Sequence, residues 1–254
     1  MGTAAGCGRV NNVLKIDLHL HTAEDPLDRI DHDAHALIDR AAALGFDAIA
    51  ITLHDRQLAD ARVDAHARER GIVLLRGIER TIGRKHVLLI NFPPAAEQVR
   101  TFDELAALKA RSDGIVIAPH PFFPAPSCLR STLDRRPDLF DGVEWSYFWT
   151  RGADFNSRAA RWARAHGKAL VGNSDLHDLR QLGRTFSLVR ADRRADAICQ
   201  AIRDGCVSLQ TAPVPADELV SVLGRMAIRG PLLSLATSPF RLRRKVRPEA
   251  VASL

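Results

Sequence analysis

Short apolar runs rich in β-branched residues alternate with helix-like stretches along most of the 254 residues. That alternation predicts an α/β chain of βα units around a parallel sheet or barrel. The length is compatible with one α/β barrel as well as two smaller domains, and it suffices to bury a sizeable core. Apolar residues at 46% and charged residues at 26% are the proportions of a folded globular protein. No apolar run approaches the ~20 residues of a membrane span.

The elements follow in order. Residues 1–12 read as a disordered lead without the apolar stretch of a secretory signal. The first strand candidate, VLKIDLHL, begins at Val13, and the helical run from Asp33 to Leu44 stops at Gly45, a suitable C-cap. DAIAIT, IVLLRGIE and HVLLIN supply the next strands. Thr101 to Arg111 opens with TFDE, a T-x-x-E capping box. GIVIAP and GVEWS come next, then a helix from Asp154 to His166 ending at Gly167. ALVGNS and FSLVR are the last strand candidates, and Asp192 to Asp204 forms a helix closed by Gly205. A barrel domain over 13–212 is expected. Residues 213–230 read as a C-terminal helix packed on it through Leu219, Val222, Leu223 and Met226. Residues 231–254 are expected to be a poorly ordered basic tail.

The formal charge of +6 is confined to that end. From Gly224 onward there are seven basic side chains against one acid, Glu249, so the preceding body is formally neutral. The run RLRRKVR has the charge to touch nucleic acid or an anionic surface, and a solvated terminus accounts for it equally. Cys7, Cys128, Cys199 and Cys206 form no CxxC pair, so neither a disulfide framework nor a cysteine zinc site is indicated. A reducing cytoplasm is the expected location.

Six of the 10 histidines end apolar strands: His19, His21, His54, His86, His120 and His177. In DLHLHT, residues two apart on a strand share a face, so His19 and His21 project together. Glu79 ends IVLLRGIE, and Asp175 precedes His177 by two in GNSDLH, repeating that geometry. Strand ends in an α/β barrel share one rim. Six imidazoles and two carboxylates converging there are explained better by divalent metal than by a structural polar network, because a cation compensates buried negative charge.

The order DLHLHT, AITLHD, GIE, APHP, VEWS and GNSDLH, over residues 16 to 211, resembles the polymerase and histidinol phosphatase (PHP) superfamily. The resemblance implies a distorted (β/α)7 barrel of the PHP type with two or three divalent ions, zinc, manganese or iron, at the strand ends. It gives His19, His21, Glu79 and Asp175 to one ion, makes Glu79 bridge to a second held by His86 and His120, and gives His54 and His177 to a third. In the segment TAEDPLD, Asp25 is the expected further ligand, with Glu24 and Asp28 as alternatives. Asp17 and Glu144 are expected behind the ligands, and Leu53 departs from the aspartate common in relatives.

The expected activity is hydrolysis of a phosphate ester by a hydroxide bridging the metals at Glu79, acting as a phosphatase or a nuclease. Substrates would be a phosphorylated small molecule or a nucleotide or oligonucleotide end. Arg56, Arg80, Arg84 and Lys85 flank the ligands as candidate phosphate contacts, and Asp55 is a candidate proton donor. The aromatics of PHPFFPAP and WSYFWT either stack on a base or wall the pocket mouth. The alternatives are a catalytically reduced scaffold of the same fold, or a nucleic-acid or membrane-surface binding protein acting through the tail.

Overall fold

A computed structural model describes residues 12–229. The expectations for the lead, the tail and the Met226 side chain lie outside the described residues. Nine strands form one sheet: β1 (Val13–Leu20), β2 (Ala48–Ile51), β3 (Val73–Ile82), β4 (Lys85–Ile90), β5 (Ile115–Ala118), β6 (Gly142–Ser146), β7 (Ala169–Asn173), β8 (Thr185–Arg190) and β9 (Val207–Thr211). The helices are α1 (Ala34–Ala43), α2 (Ala61–Glu69), α3 (Phe102–Lys109), α4 (Ser131–Arg135), α5 (Asn156–Ala165), α6 (Ala195–Arg203) and α7 (Ala216–Arg229). The strand order is β7-β6-β5-β4-β3-β2-β1-β8-β9.

All eight strand candidates form, but the sheet is mixed rather than parallel. β1, β2 and β3 run parallel, as do β5, β6 and β7. Between these two blocks β4 is antiparallel to both neighbours, and β8 and β9 are antiparallel additions beside β1. The turn from β3 to β4 is Gly83–Arg84, with φ of 54° and 66°. Two consecutive positive φ values suit a tight hairpin whose twist matches the strands. β9, VSLQT, is absent from the strands expected from sequence; it alternates apolar and polar residues and stays half exposed, as an antiparallel strand with one solvated face does.

The two ends of the sheet meet without pairing. Gly172 N donates to Ser187 Oγ at 2.8 Å, and Ser187 Oγ donates back to Gly172 O at 3.1 Å. The barrel is therefore nearly closed by this side-chain exchange between β7 and β8 and by backbone bonds from the segment after β7 to the end of β1, His21 N to Leu176 O at 3.0 Å and Leu176 N to His19 O at 3.2 Å. Apolar residues of β1, β2, β4, β5 and β7, such as Ile16, Ala48, Leu88, Ile117 and Val171, pack in one cluster with Ile198 and Ile202 of α6. A second cluster joins β3 to β6 with α3, α4 and α5 through Leu105, Leu133, Phe140 and Trp162. Cys128 and Cys199 are free and buried, whereas Cys206 is disulfide-bonded, against the expectation of none.

α3 starts with the capping box read from sequence: Glu104 N donates to Thr101 Oγ1, and Thr101 N donates to Glu104 Oε2, both at 3.2 Å. Thr101→Ala is expected to cost about 1 kcal/mol, measured as a lower denaturant midpoint at unchanged slope.

Candidate metal centre

Most candidate ligands stand near or just past a strand end, where the chain is free to turn a side chain inward, whereas Glu79 lies within β3, opposite Leu88 of β4. β1 supplies His19 and, one residue beyond its end, His21, with ring centroids 5.2 Å apart. His54 follows β2 and bridges the backbone of Glu79 on β3. The β3–β4 hairpin sets His86 opposite Thr81. His120 and Asp175 follow β5 and β7 with φ of 29° and 48°. Left-handed backbone at two non-glycine residues is strain of the kind concentrated at functional sites.

The structure brings all of them around one buried carboxylate. Glu79 Oε1 lies 2.7 Å from His86 Nδ1 and 3.4 Å from His120 Nε2. Glu79 Oε2 lies 3.4, 3.3 and 3.1 Å from Nε2 of His19, His21 and His54. The two oxygens thus face two different sets of imidazoles, the arrangement a bridging ligand needs. Asp175 Oδ1 is 3.3 Å from His19 Nε2 and 3.7 Å from His177 Nδ1.

Outer contacts fix the rings. Glu144 holds His19 Nδ1 at 3.1 Å and accepts from His120 N at 2.7 Å, leaving His19 Nε2 to face the centre. Asp17, fully buried, accepts from His19 N and Ser174 N at 3.2 Å, and burial pushes its carboxyl up to about 7. Asp25 lies behind the imidazoles: its Oδ2 is 3.0 Å from Nδ1 of both His21 and His54. Asp28 instead lines the cavity, with Oδ2 3.0 Å from His177 Nε2. Glu24 is spent elsewhere, accepting from Ala34 N at 3.2 Å at the start of α1.

The candidate phosphate contacts do not converge. Arg80 is 1% exposed, donates to Val99 O at 2.7 Å and pairs with Asp55, which also accepts from Thr81 N at 2.7 Å. Arg80 and Asp55 thus tie β3 to its neighbours. Arg56 donates to Glu24 O at 2.7 Å, Lys85 to Pro126 O at 2.7 Å, and Arg84 is exposed in the hairpin turn.

Sequence reading missed several supporting groups. His32, in none of the motifs, is buried, with Nε2 3.0 Å from His21 O. Gln181 accepts from His177 N at 2.9 Å. Cys128 Sγ is 3.4 Å from His120 Nδ1. None sits in a motif, so only the fold could reveal them.

Electrostatics describe a site short of positive charge. Burial alone would lift the Glu79 carboxyl, but His86, His19 and His54 outweigh it and hold it well below its ordinary value. Burial would lower His19, yet Asp175, Glu144 and Glu79 carry it well above the usual imidazole value. His19 Nε2 and His21 Nε2 are buried without a hydrogen-bond partner. His19, His21 and Asp175 offer donor atoms within 4.8 Å of one another, as do His54, Glu79 and His86. Imidazole and carboxylate donors so placed fit a divalent transition metal. A cavity of about 510 Å³ opens on Glu79, His86, His120, Asp175 and His177.

Residues 153–207 match a family described as PHP-associated. A two-domain protein from Bacteroides vulgatus, containing a predicted PHP-like metal-dependent phosphoesterase, superposes with a TM-score of 0.62 at 20% identity, over 86% of this chain and 70% of that one. PsfC from Pseudomonas syringae gives 0.61 at 16% identity, over 85% and 99%. The lesion-specific endonuclease PfuEndoQ from Pyrococcus furiosus gives 0.56 at 18%, over 84% and 66%. A search of curated proteins found no match. At these identities the likeness is one of fold.

Proposed function

We propose that this PHP-type barrel is a metal-dependent phosphoesterase, and the single observation that carries the reading is Glu79, whose two oxygens face separate groups of imidazoles. Structural neighbours that include a PHP-like phosphoesterase and an endonuclease support it. His19, His21, Glu79 and Asp175 would hold one ion, and Glu79, His86 and His120 a second. His54, His177 and Asp28 would hold a third, because Asp28 faces the cavity while Asp25 orients two imidazoles from behind. Divalent ions bound there supply a Lewis acid for the phosphoryl oxygens and lower the pKa of water toward neutrality.

The chain's own contribution is placement. Glu144 and Asp25 hold ring nitrogens of His19, His21 and His54, so these rings need little reorganisation when ligand binds. The open cavity admits an ester beside Glu79 and Asp175. Hydrolysis forms a bond from water oxygen to phosphorus, breaks the ester P–O bond and leaves one water proton on the departing alcohol. Asp55 is engaged by Arg80 and the Thr81 amide and takes no part in the proton transfer.

The test is turnover of p-nitrophenyl phosphate and bis(p-nitrophenyl) phosphate before and after chelation. Chelation is expected to abolish turnover and added manganese to restore it, with metal analysis returning two or three ions per chain. Turnover indifferent to chelation by protein shown to be metal-free would overturn the reading, and the preferred ester separates phosphatase from nuclease chemistry.

A further inference from the structure

The cavity has two unlike halves. One is the ligand cluster. The other is made by Leu27, Phe123, Phe148, Phe155, Leu219 and Leu223, which come from four separate segments of the chain. Its polar contributions beyond the cluster are Ser127 and the Cys128 thiol, the latter beside His120. Among the described residues, no arginine or lysine lines the cavity.

The apolar half is built rather than incidental. Phe148, Val214 and Val222 are buried together with Tyr147, and Phe123 and Leu219 pack against them. Glu218 accepts from Tyr147 Oη at 2.7 Å and from Arg184 at 3.0 Å, while Arg225 pairs with Asp178 at 3.3 Å. These contacts pin α7 at both sides of Leu219 and Leu223, so the two leucines are held over the site. Leu27, Phe155 and Leu223 nevertheless remain 43%, 41% and 46% exposed, which large apolar side chains beside a polar centre do at the cost of solvating them.

We infer that the ester hydrolysed here carries an apolar organic group, of the size of a fused aromatic ring, seated against Phe123, Phe155, Leu219 and Leu223 while its single phosphoryl group faces the ligand cluster. This rests on the phosphoesterase reading. The cluster is the cavity's only source of positive charge among the described residues, so one phosphoryl group is matched and a second has no counter-charge. A ribose and base would bury several donors and acceptors against this wall unpaired, each at a cost of about 1–3 kcal/mol. An apolar group meets no such cost and releases water from both surfaces.

The experiment compares 2-naphthylmethyl phosphate, glycerol 1-phosphate and thymidine 5′-phosphate, all esters of primary alcohols, and the methyl diesters of each, using manganese-loaded full-length protein. The naphthylmethyl ester is expected to show kcat/KM at least about tenfold above both others, the scale of discrimination an apolar pocket delivers. Phe155→Ser with Leu223→Ser should lower that ratio about tenfold, whereas Val220→Ser, on the same helix, 70% exposed and outside the cavity lining, should leave it unchanged. Equal or reversed preference, or a ratio insensitive to the double variant, overturns the inference, and preference for the thymidine ester assigns the wall to a base.

If no ester turns over, the phosphoesterase reading fails separately. The wall is then read by calorimetry with 2-naphthylmethylphosphonate against methylphosphonate. Tighter binding of the former that the double variant removes sustains the apolar site, and equal binding overturns it.

Discussion

Glu79→Gln is expected to lower turnover by roughly 10³-fold or more and to remove bound metal, because losing several kcal/mol of charge stabilisation translates into that factor. The amide keeps the volume but not the charge that five imidazoles share at 2.7 to 3.4 Å. Metal analysis and the nitrophenyl assays measure both effects, and a variant with full metal content and activity would remove Glu79 from the centre of the site.

The same substitution has a signature in metal-free protein. Burial opposes protonation of His54, but the Glu79 carboxylate 3.1 Å away, together with Asp25 and Asp28, outweighs it and raises the imidazole to about 9 from 6.5. A histidine raised in the folded state contributes stability that is complete below its unfolded value and is lost as pH rises through its folded value. The melting temperature of chelated wild type should therefore fall between pH 6.5 and pH 9. Glu79→Gln should make that slope shallower without removing it, since one of the carboxylates that raise His54 is gone while Asp25 and Asp28 remain.

That the convergence of these histidines could be read in the sequence has a physical reason. Histidines closing apolar strands conflict with burial unless something compensates them, and that conflict is visible in a string of letters at His19, His54, His120 and His177. Asp25 and Asp28 both follow HxH closely, and only the turn at 22–28 sets Asp25 against Nδ1 of His21 and His54 and Asp28 against Nε2 of His177. Arg80 looked like a phosphate contact because it follows a ligand, but alternation on β3 turns it to the opposite side, toward Val99. The apolar wall had no sequence signature. Leu27, Phe123, Phe155 and Leu223 become neighbours only once three loops and α7 meet over the strand ends.

Barrel closure was equally hidden, and it gives the second large prediction. A Cβ on Gly172 would stand 2.5 Å from Leu209 Cδ1 and 2.7 Å from the Phe186 carbonyl oxygen. Leu209 belongs to the unforeseen strand β9, so nothing in the run ALVGNS announces that this glycine is required by contact rather than by a turn. Gly172→Val adds a branched side chain there and must push β7 away from β8, breaking the exchange between Gly172 and Ser187 Oγ. Overpacking costs typically 1–3 kcal/mol, and with the lost hydrogen bonds about 4 kcal/mol is expected. β7 also leads into Asp175, so the displacement reaches the candidate metal centre two residues beyond the strand. Denaturant unfolding should show the loss of stability, with a drop in metal affinity alongside it. Leu209→Ala in the same chain should recover part of the stability, because it removes the flexible obstacle, but not the part due to the Phe186 carbonyl. A Gly172→Val protein as stable as wild type would mean that β7 and β9 do not meet and that the barrel is open at this seam.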